Sequence, residues 1–313
     1  MHAGSCRRGS PRPLAYDTIH DRGCYHLYIP TARLSARSQP DLLAAVVGMR
    51  HFDDPVLFEK TFSLPMNLHI ATYNIHKGFS HFNRRMMVHE LRDHLRLLDA
   101  DIIFLQEVQG QHERHASRFE DWPAEPQHEF LADQVWSDFA YGRNAVYDHG
   151  HHGNAILSRY PIISAENEDI SAHGFERRGL LHCRIALPQS EVPLHCICVH
   201  LALNERGRRH QVGALIERLR REVPDDAALI VAGDFNDWRN LAGRRLAEQL
   251  GLQEAFRDNR GKPARSYPSA FPFLRLDRIY VRGFSVRHTE VHHGPTWSRI
   301  SDHAALSAHL LLA

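Results

Sequence analysis

The sequence is short of the signatures that would settle its class at once. Its five cysteines, Cys6, Cys24, Cys183, Cys196 and Cys198, are an odd number with no CxxC pair. That argues against a disulfide framework and for a reducing compartment. No apolar run approaches the roughly 20 residues that a bilayer span needs. The strongest early run, residues 42–49, lies too far from Met1 to be a signal-peptide core. With no export or anchoring signal in view, the expected location is the cytoplasm. Net charge is also scarce, since Lys+Arg 38 against Asp+Glu 37 leaves +1. A protein that coats a polyanion is therefore unexpected, while a local basic groove stays open. Histidine, by contrast, is abundant: there are 25 in 313 residues. Such a surplus points to metal, to proton chemistry or to compositional drift.

Residues 1–65 carry Pro11, Pro13, Pro30, Pro40, Pro55 and Pro65 among scattered arginines, with no sustained period. They are expected to be a poorly ordered extension. Met66 opens directly onto a strand-like run, so an over-extended start site would account for them. Residues 66–313 are expected to be one domain. Leu68–Tyr73, Asp101–Leu105, Asn154–Ser158, Ala227–Ala232, Arg278–Val281 and Ala305–Leu311 have the character of strands. Leu180–Leu187 and Leu194–Leu201 flank a turn and suggest a hairpin. Helices are expected over 83–98, 205–222 and 241–250, the last capped by Gly251. Hairpins mixed with strand–helix steps exclude a pure repeating βαβ barrel and suit mixed sheets covered by helices.

Several of these apolar runs end in residues a core would not choose. The endings are Tyr73-Asn74-Ile75-His76-Lys77-Gly78, Leu105-Gln106-Glu107, Gly233-Asp234-Phe235-Asn236, Leu276-Asp277-Arg278 and Ser301-Asp302-His303. A lone polar strand end is usually a cap or a turn former, but five in one domain suggest a shared site at the strand ends. Asp234 and Asn236, two apart, project to one side of extended backbone. Asp302 and His303 are adjacent and need a turn to share a site. Glu107, Asp234 and Asp302 with the amides of Asn74 and Asn236 are hard oxygen donors suited to Mg²⁺ or Mn²⁺. A histidine beside a carboxylate can hold a phosphoryl oxygen or move a proton. Together they point to metal-assisted phosphodiester hydrolysis.

The blocks NIHKG, LQEV, HGNAILSR, HLAL, GDFN, RLDRIYV and SDH, in this order across 66–313, resemble the endonuclease/exonuclease/phosphatase superfamily, the deoxyribonuclease I-like fold. SDFAYGRNAVY and HHGNAILSRYPI are similar to a bacterial metal-dependent hydrolase subgroup. That subgroup is itself similar to the hydrolase-like domain of the Calcofluor white hypersensitive protein, which is tied to lipid-anchor remodelling. The resemblance implies a four-layer α/β sandwich, with two mixed β-sheets packed face to face and helices outside. It also implies roles. Glu107 would be the main metal ligand, with Asn74 beside it. Asp234 would align or deprotonate the attacking water, and Asn236 would contact phosphate. His303 would contact the scissile phosphate, with Asp277 as its carboxylate partner and Asp302 assisting the metal or orienting His303. His200 would stabilise the leaving oxygen. Arg178 matches a position that contacts substrate phosphate in the family, with a surface salt bridge as the competing account. His151 and His152 stand where some family nucleases place a phosphate-contacting tyrosine.

Other patterns favour plainer accounts. In His195-Cys196-Ile197-Cys198-Val199-His200, side chains two apart on a strand sit roughly 6–7 Å from each other, too far for tetrahedral zinc. Both cysteines are expected to be core residues. Asp148-His149-Gly150-His151-His152 is expected to be a polar loop beside the site. The arginines at 206, 208, 209, 218, 220 and 221 are expected on a solvated helix face, because Val212, Leu215, Ile216 and Leu219 point inward. Near-neutral charge disfavours a dedicated DNA binder. The apolar loop Tyr267–Leu274 before Asp277 could meet a lipid. The expected substrate is a small or lipid-linked phosphodiester. Nucleic acid is the alternative, and a catalytically silent binding module ranks last. The protein is expected to act as a monomer.

Overall fold

A computed structural model describes residues 66–81, 84–188, 190–257 and 261–313. The expected extension, residues 1–65, lies outside the described residues. In chain order the elements are β1 (Asn67–Asn74), α1 (Val88–Leu98), β2 (Ile102–His112), α2 (Glu113–Arg118), α3 (Gln127–Ala132), β3 (Asp138–Tyr147), β4 (Gly150–Ser158) and β5 (Ile162–Asp169). Then come β6 (Gly179–Ile185), β7 (Leu194–His200), α4 (Glu205–Glu222), β8 (Leu229–Asp234), α5 (Leu241–Leu250), β9 (Gln253–Glu254), β10 (Asp277–Arg282), β11 (Phe284–His292) and β12 (Ala305–Leu312).

The strands make two six-stranded sheets, ordered β11-β12-β1-β2-β4-β3 and β5-β6-β7-β8-β10-β9. Each is mixed, with β1–β2 and β7–β8 parallel and other neighbours antiparallel. Alternation along β1 explains the layering. Leu68 and Ile70 enter a core shared with Cys196, Ile230 and Ile279 of the other sheet, while Ala71 and Tyr73 pack outward with Leu91 and Leu95 of α1. On the far side, Ile197 and Val231 meet Leu215 and Leu219 of α4 and Leu246 of α5. A sheet buried on both faces must lie inside a stack, and the result is the four-layer α/β sandwich. Each Leu or Ile buried in these layers contributes about 1.5–3 kcal/mol.

Local chemistry sets the helix ends. Asn204 caps α4 by accepting from the Gly207 N–H at 2.7 Å. Asp237 accepts from the N–H groups of Leu241 and Ala242 at the start of α5, and Gly251 ends it at φ 63°. Among the described residues, no helix is long and apolar enough to cross a membrane.

Three expectations need adjusting. The segment Gly150-His151-His152 is not a loop but the start of β4. Gly150 pairs with Tyr147 of β3 and His112 of β2, and just beyond, at Gly153, the strands approach so closely that a Cβ would sit 1.8 Å from the Gly142 carbonyl oxygen. The arginine-bearing face of α4 is not uniformly solvated either. Arg208 and Arg218 are 4% and 7% exposed. Arg208 donates to the Ala202 and Leu203 carbonyls, and Arg218 pairs with Glu166 and Glu168 of β5. Finally, α1 starts at Val88, later than the expected 83.

Candidate active site

The site is the open end of the seam between the two sheets. Each inner-facing series of side chains is apolar deep in the core and polar towards its last member. Leu68, Ile70, Thr72 leads to Asn74; Cys196, Cys198 leads to His200; Ile230, Ala232 leads to Asp234; and Val281, Ile279 leads to Asp277. Strand register does the rest. β7 runs parallel to β8 with His200 opposite Asp234, and β10 runs antiparallel with Asp277 opposite the same residue. Three neighbouring strands therefore deliver three functional groups side by side.

The other sheet contributes Asn74, whose Nδ2 donates to Asp234 Oδ2 at 3.2 Å. Its Oδ1 accepts from the His76 N–H at 3.1 Å. Glu107 follows Gln106, the β2 partner of Asn74, where the β2–β4 register shifts. Its φ is 58°, and His76, Lys77 and Asn236 are also left-handed. Four non-glycine residues in that region cost free energy and tend to cluster where function over-determines the backbone.

A bend at residues 302–303 supplies the turn that Asp302 and His303 require. His303 Nδ1 lies 2.9 Å from Asp277 Oδ2, and its Nε2 lies 3.9 Å from Asp234 Oδ2. His200 Nε2 is 3.4 Å from the same Asp234 oxygen. Asp302 stands beside this group with Ser301 Oγ 3.5 Å from its Oδ1. Ser301 Oγ also donates to the Asn74 carbonyl at 2.7 Å, tying this loop to β1. The Asn236 N–H donates to Asp234 Oδ1 at 2.9 Å, and its Nδ2 donates to the Leu201 carbonyl at 3.0 Å.

Charge states follow from these neighbours. Burial works against charge on His303, but Asp277, Asp234 and Asp302 overcome it and lift the imidazole to about 10. His200, equally buried but facing Arg178, falls well below the usual imidazole value and is neutral. Burial raises Asp234 to about 6 against the opposing pull of His303. Burial also acts to raise Glu107, yet neighbouring positive charge, Lys77 and His303 included, holds it at about 2. Lys77 Nζ makes the closest of these contacts, 3.3 Å from Glu107 Oε2.

Asp234, Asp277 and His303 offer ligand atoms within 4.8 Å of one another. A charged imidazole hydrogen-bonded to Asp277 suits phosphate better than a cation. The donor set better fitted to a hard cation centres on Glu107, which is ionised and whose buried Oε2 makes no hydrogen bond.

Asn74, Glu107, His200, Asp234, Asn236, Asp277 and His303 are thus gathered at one end of the seam, with Asp302 at its edge. Arg178 pairs with Glu176 at 3.1 Å, and its charge reaches His200 and His152. Adjacent strand residues point to opposite faces, and the His151–His152 pair divides accordingly. The charges of Lys77 and Glu107 act on His152. His151 instead packs on Gly110 and lies 2.9 Å from the Tyr141 hydroxyl, apart from the cluster. The residue motif reading passed over is Lys77, visible in NIHKG three positions after Asn74 as a cation at a strand end.

A fold with two six-stranded sheets and a polar site at one end of their seam defines a class of α/β-sandwich hydrolases. The Endonuclease/Exonuclease/phosphatase family matches residues 71–303, and the chain belongs to that family. It is 53% identical over 243 residues to "Uncharacterized protein YbhP" of Escherichia coli K12, covering 78% of this chain and 96% of that protein. The endonuclease/exonuclease/phosphatase from Beutenbergia cavernae superposes with a TM-score of 0.62 at 19% identity, covering 79% of this chain and 72% of the other. The human Nocturnin catalytic domain with bound sulfate gives 0.61 at 15% identity, over 79% and 95%. Membership makes the chain a hydrolase of phosphoester bonds, in a family that generally depends on divalent metal.

Proposed function

We propose that the chain is a divalent-metal-dependent phosphodiester hydrolase acting on small or lipid-linked phosphodiesters. The observation that carries this reading is the convergence of Asp234 from the end of β8, Glu107 from the bulged part of β2 and His303 from the bend before β12, two carboxylates of different basicity beside a cation. Glu107, with Asn74 beside it, would hold Mg²⁺ or Mn²⁺, and Asp302 would assist from the edge. When bound, the metal would polarise the phosphoryl group. Asp234, raised to about 6, is ionised at neutral pH and still basic enough to take a proton from the attacking water. Charged His303, held by Asp277, donates to a phosphoryl oxygen as negative charge develops there. Neutral His200 stabilises the leaving oxygen as its bond to phosphorus breaks. Asn236 positions Asp234 through its backbone N–H, and its side-chain oxygen, with Nδ2 held by the Leu201 carbonyl, would contact the phosphate. Arg178 adds positive charge on the His200 side, with His152 lining the Lys77 side. The same residues would serve a nuclease. The lipid-linked reading draws on Phe271 and Phe273, 80% and 54% exposed on the loop before Asp277.

The test uses the full chain with Mg²⁺ or Mn²⁺ on bis(p-nitrophenyl) phosphate, plain and nicked DNA, and phospholipid vesicles, beside Asp234→Ala. Hydrolysis that chelation abolishes, and that falls about 10²–10⁴-fold in the variant, is expected. Equal inactivity of both proteins on every substrate would defeat the reading.

A further inference from the structure

The loops that frame the site on one sheet carry apolar side chains that no core uses. β6, β7, β8 and β10 are neighbours in that sheet, and the loop at the site end of each holds one close to a site residue. Phe175 precedes Arg178 by three positions, Leu203 follows His200 by three, Trp238 follows Asp234 by four, and Phe273 precedes Asp277 by four. Phe175, Leu203 and Trp238 are 92%, 63% and 46% exposed, and Phe271 and Phe273 are exposed with them. Large apolar groups gathered in water mark an interaction surface. Across four strands spaced about 4.8 Å apart the row is roughly 14 Å wide, broader than a single acyl chain.

These groups are held in place by hydrogen bonds. Ser269 donates from its N–H to the Asp302 carbonyl at 2.7 Å and from Oγ to the Ser301 carbonyl at 2.6 Å, which pins the loop of Phe271 and Phe273 to the segment carrying His303. Glu176, next to Phe175, accepts from the Leu203 N–H at 3.2 Å and from Asn204 Nδ2 at 3.4 Å, joining two of the loops. The Arg208 guanidinium lies 4.6 Å from the Trp238 ring centroid and fixes one face of that ring. Positive charge accompanies the apolar groups. A concavity of about 690 Å³ beside Phe271 is lined by Arg257, Lys262, Arg265 and Arg275, and no carboxylate is among its described lining residues.

A substrate tail alone is too narrow for this row. A second copy packed symmetrically on the same patch would bring its arginines and lysine against their own kind. An anionic bilayer meets both features at once. Phenylalanine, leucine and tryptophan enter the boundary between headgroups and acyl chains, while Arg and Lys remain among the lipid phosphates. We propose that this rim docks the open end of the seam onto an anionic phospholipid surface. The proposal rests on the lipid-linked substrate reading and names the surface that presents the scissile ester to Asp234 and His303.

The experiment sediments the full chain with vesicles of phosphatidylcholine, alone or mixed with phosphatidylglycerol, at low and high salt. Binding to the mixed vesicles is expected to be about tenfold or more tighter than to phosphatidylcholine alone, and to weaken as salt rises. Phe175→Ser combined with Leu203→Ser should weaken it at least about tenfold, since two apolar side chains no longer leave water. The same double variant should hydrolyse bis(p-nitrophenyl) phosphate as the wild type does. Leu97, exposed on α1 away from the rim, supplies the control, and Leu97→Ser should bind vesicles normally. An unchanged melting temperature establishes that the variants are folded. No vesicle binding, equal binding to both compositions, or a loss in the double variant no greater than in Leu97→Ser overturns the proposal. A concentration-dependent dimer that the double variant dissolves would give the rim to a second copy and overturn it as well. The two ideas fail separately. A protein that docks on vesicles yet hydrolyses no ester refutes the hydrolase and keeps the surface. A hydrolase indifferent to vesicles does the reverse.

Discussion

Histidines in two settings of this molecule carry different charge, one cationic and the others neutral. His303 sits between Asp277 and Asp234 and rises to about 10. His115 of α2, His128 of α3 and His152 of β4 fall to about 4, chiefly through burial. Their near neighbours are aromatic rings and other imidazoles, with His128 stacked 4.5 Å from Tyr141 and His115 stacked on His112. The same side chain is thus a fixed cation in one place and a neutral plate in another. Partner identity decides: a carboxylate at hydrogen-bond distance outweighs desolvation, and a neutral ring does not. Part of the histidine surplus now has a physical account, divided between phosphate chemistry and ring packing.

The contrast breaks most completely at His303. His303→Ala removes the cation between two buried carboxylates, and hydrolysis of bis(p-nitrophenyl) phosphate should fall at least about 10³-fold. Asp277→Asn keeps the imidazole but removes the partner that raises it. The wild-type rate should climb with pH through about 6, as Asp234 ionises, and fall through about 10, as His303 loses its proton. In Asp277→Asn the alkaline fall should move to lower pH. An unmoved alkaline limb would show that Asp277 does not set the charge of His303.

A smaller effect tests the neutral group. A histidine lowered from 6.5 to about 4 binds its proton more weakly in the folded state. Its stabilising contribution is present above 6.5 and lost as pH falls from there towards 4. Buried His128 should account for on the order of 2 kcal/mol of that acid loss. His128→Gln should therefore flatten the decline of stability between pH 6.5 and 4 in denaturant titrations. The same decline in both proteins would mean that His128 titrates normally. The smallest change is expected at His151→Phe, beyond the edge of the site. It gives up one contact with Tyr141 and should leave kcat/KM within about twofold and stability within about 1 kcal/mol. A larger loss of rate would extend the site across β4.

The sequence made the middle of the fold easy to read and its borders hard. β1, β7, β8 and β12 are largely buried, and their mostly apolar runs announce them. β3, β5 and β11 lie at sheet edges. Their half-exposed residues, such as Glu166, Asn167 and Glu168 in β5, leave no run to find. For the site, the strand-end polar groups were legible because a core position occupied by Asp or Asn stands out. Their register was not, since only pairing brings His200 and Asp277 to opposite sides of Asp234.

The hydrogen bond from Asn74 to Asp234 crosses from one sheet to the other. Gln106 reaches Cys198 Sγ at 3.3 Å, and Asn154 reaches the Gly179 and Cys198 carbonyls at 3.0 and 3.3 Å. Apolar packing sets how far apart two sheets lie but is nearly indifferent to a small lateral slide, since dispersion has no direction. Directional bonds are not indifferent. These crossings act as alignment pins through a slippery joint. Shear of one sheet over the other would separate Glu107 and Asn74 from Asp234 and His303 before it disturbed the core.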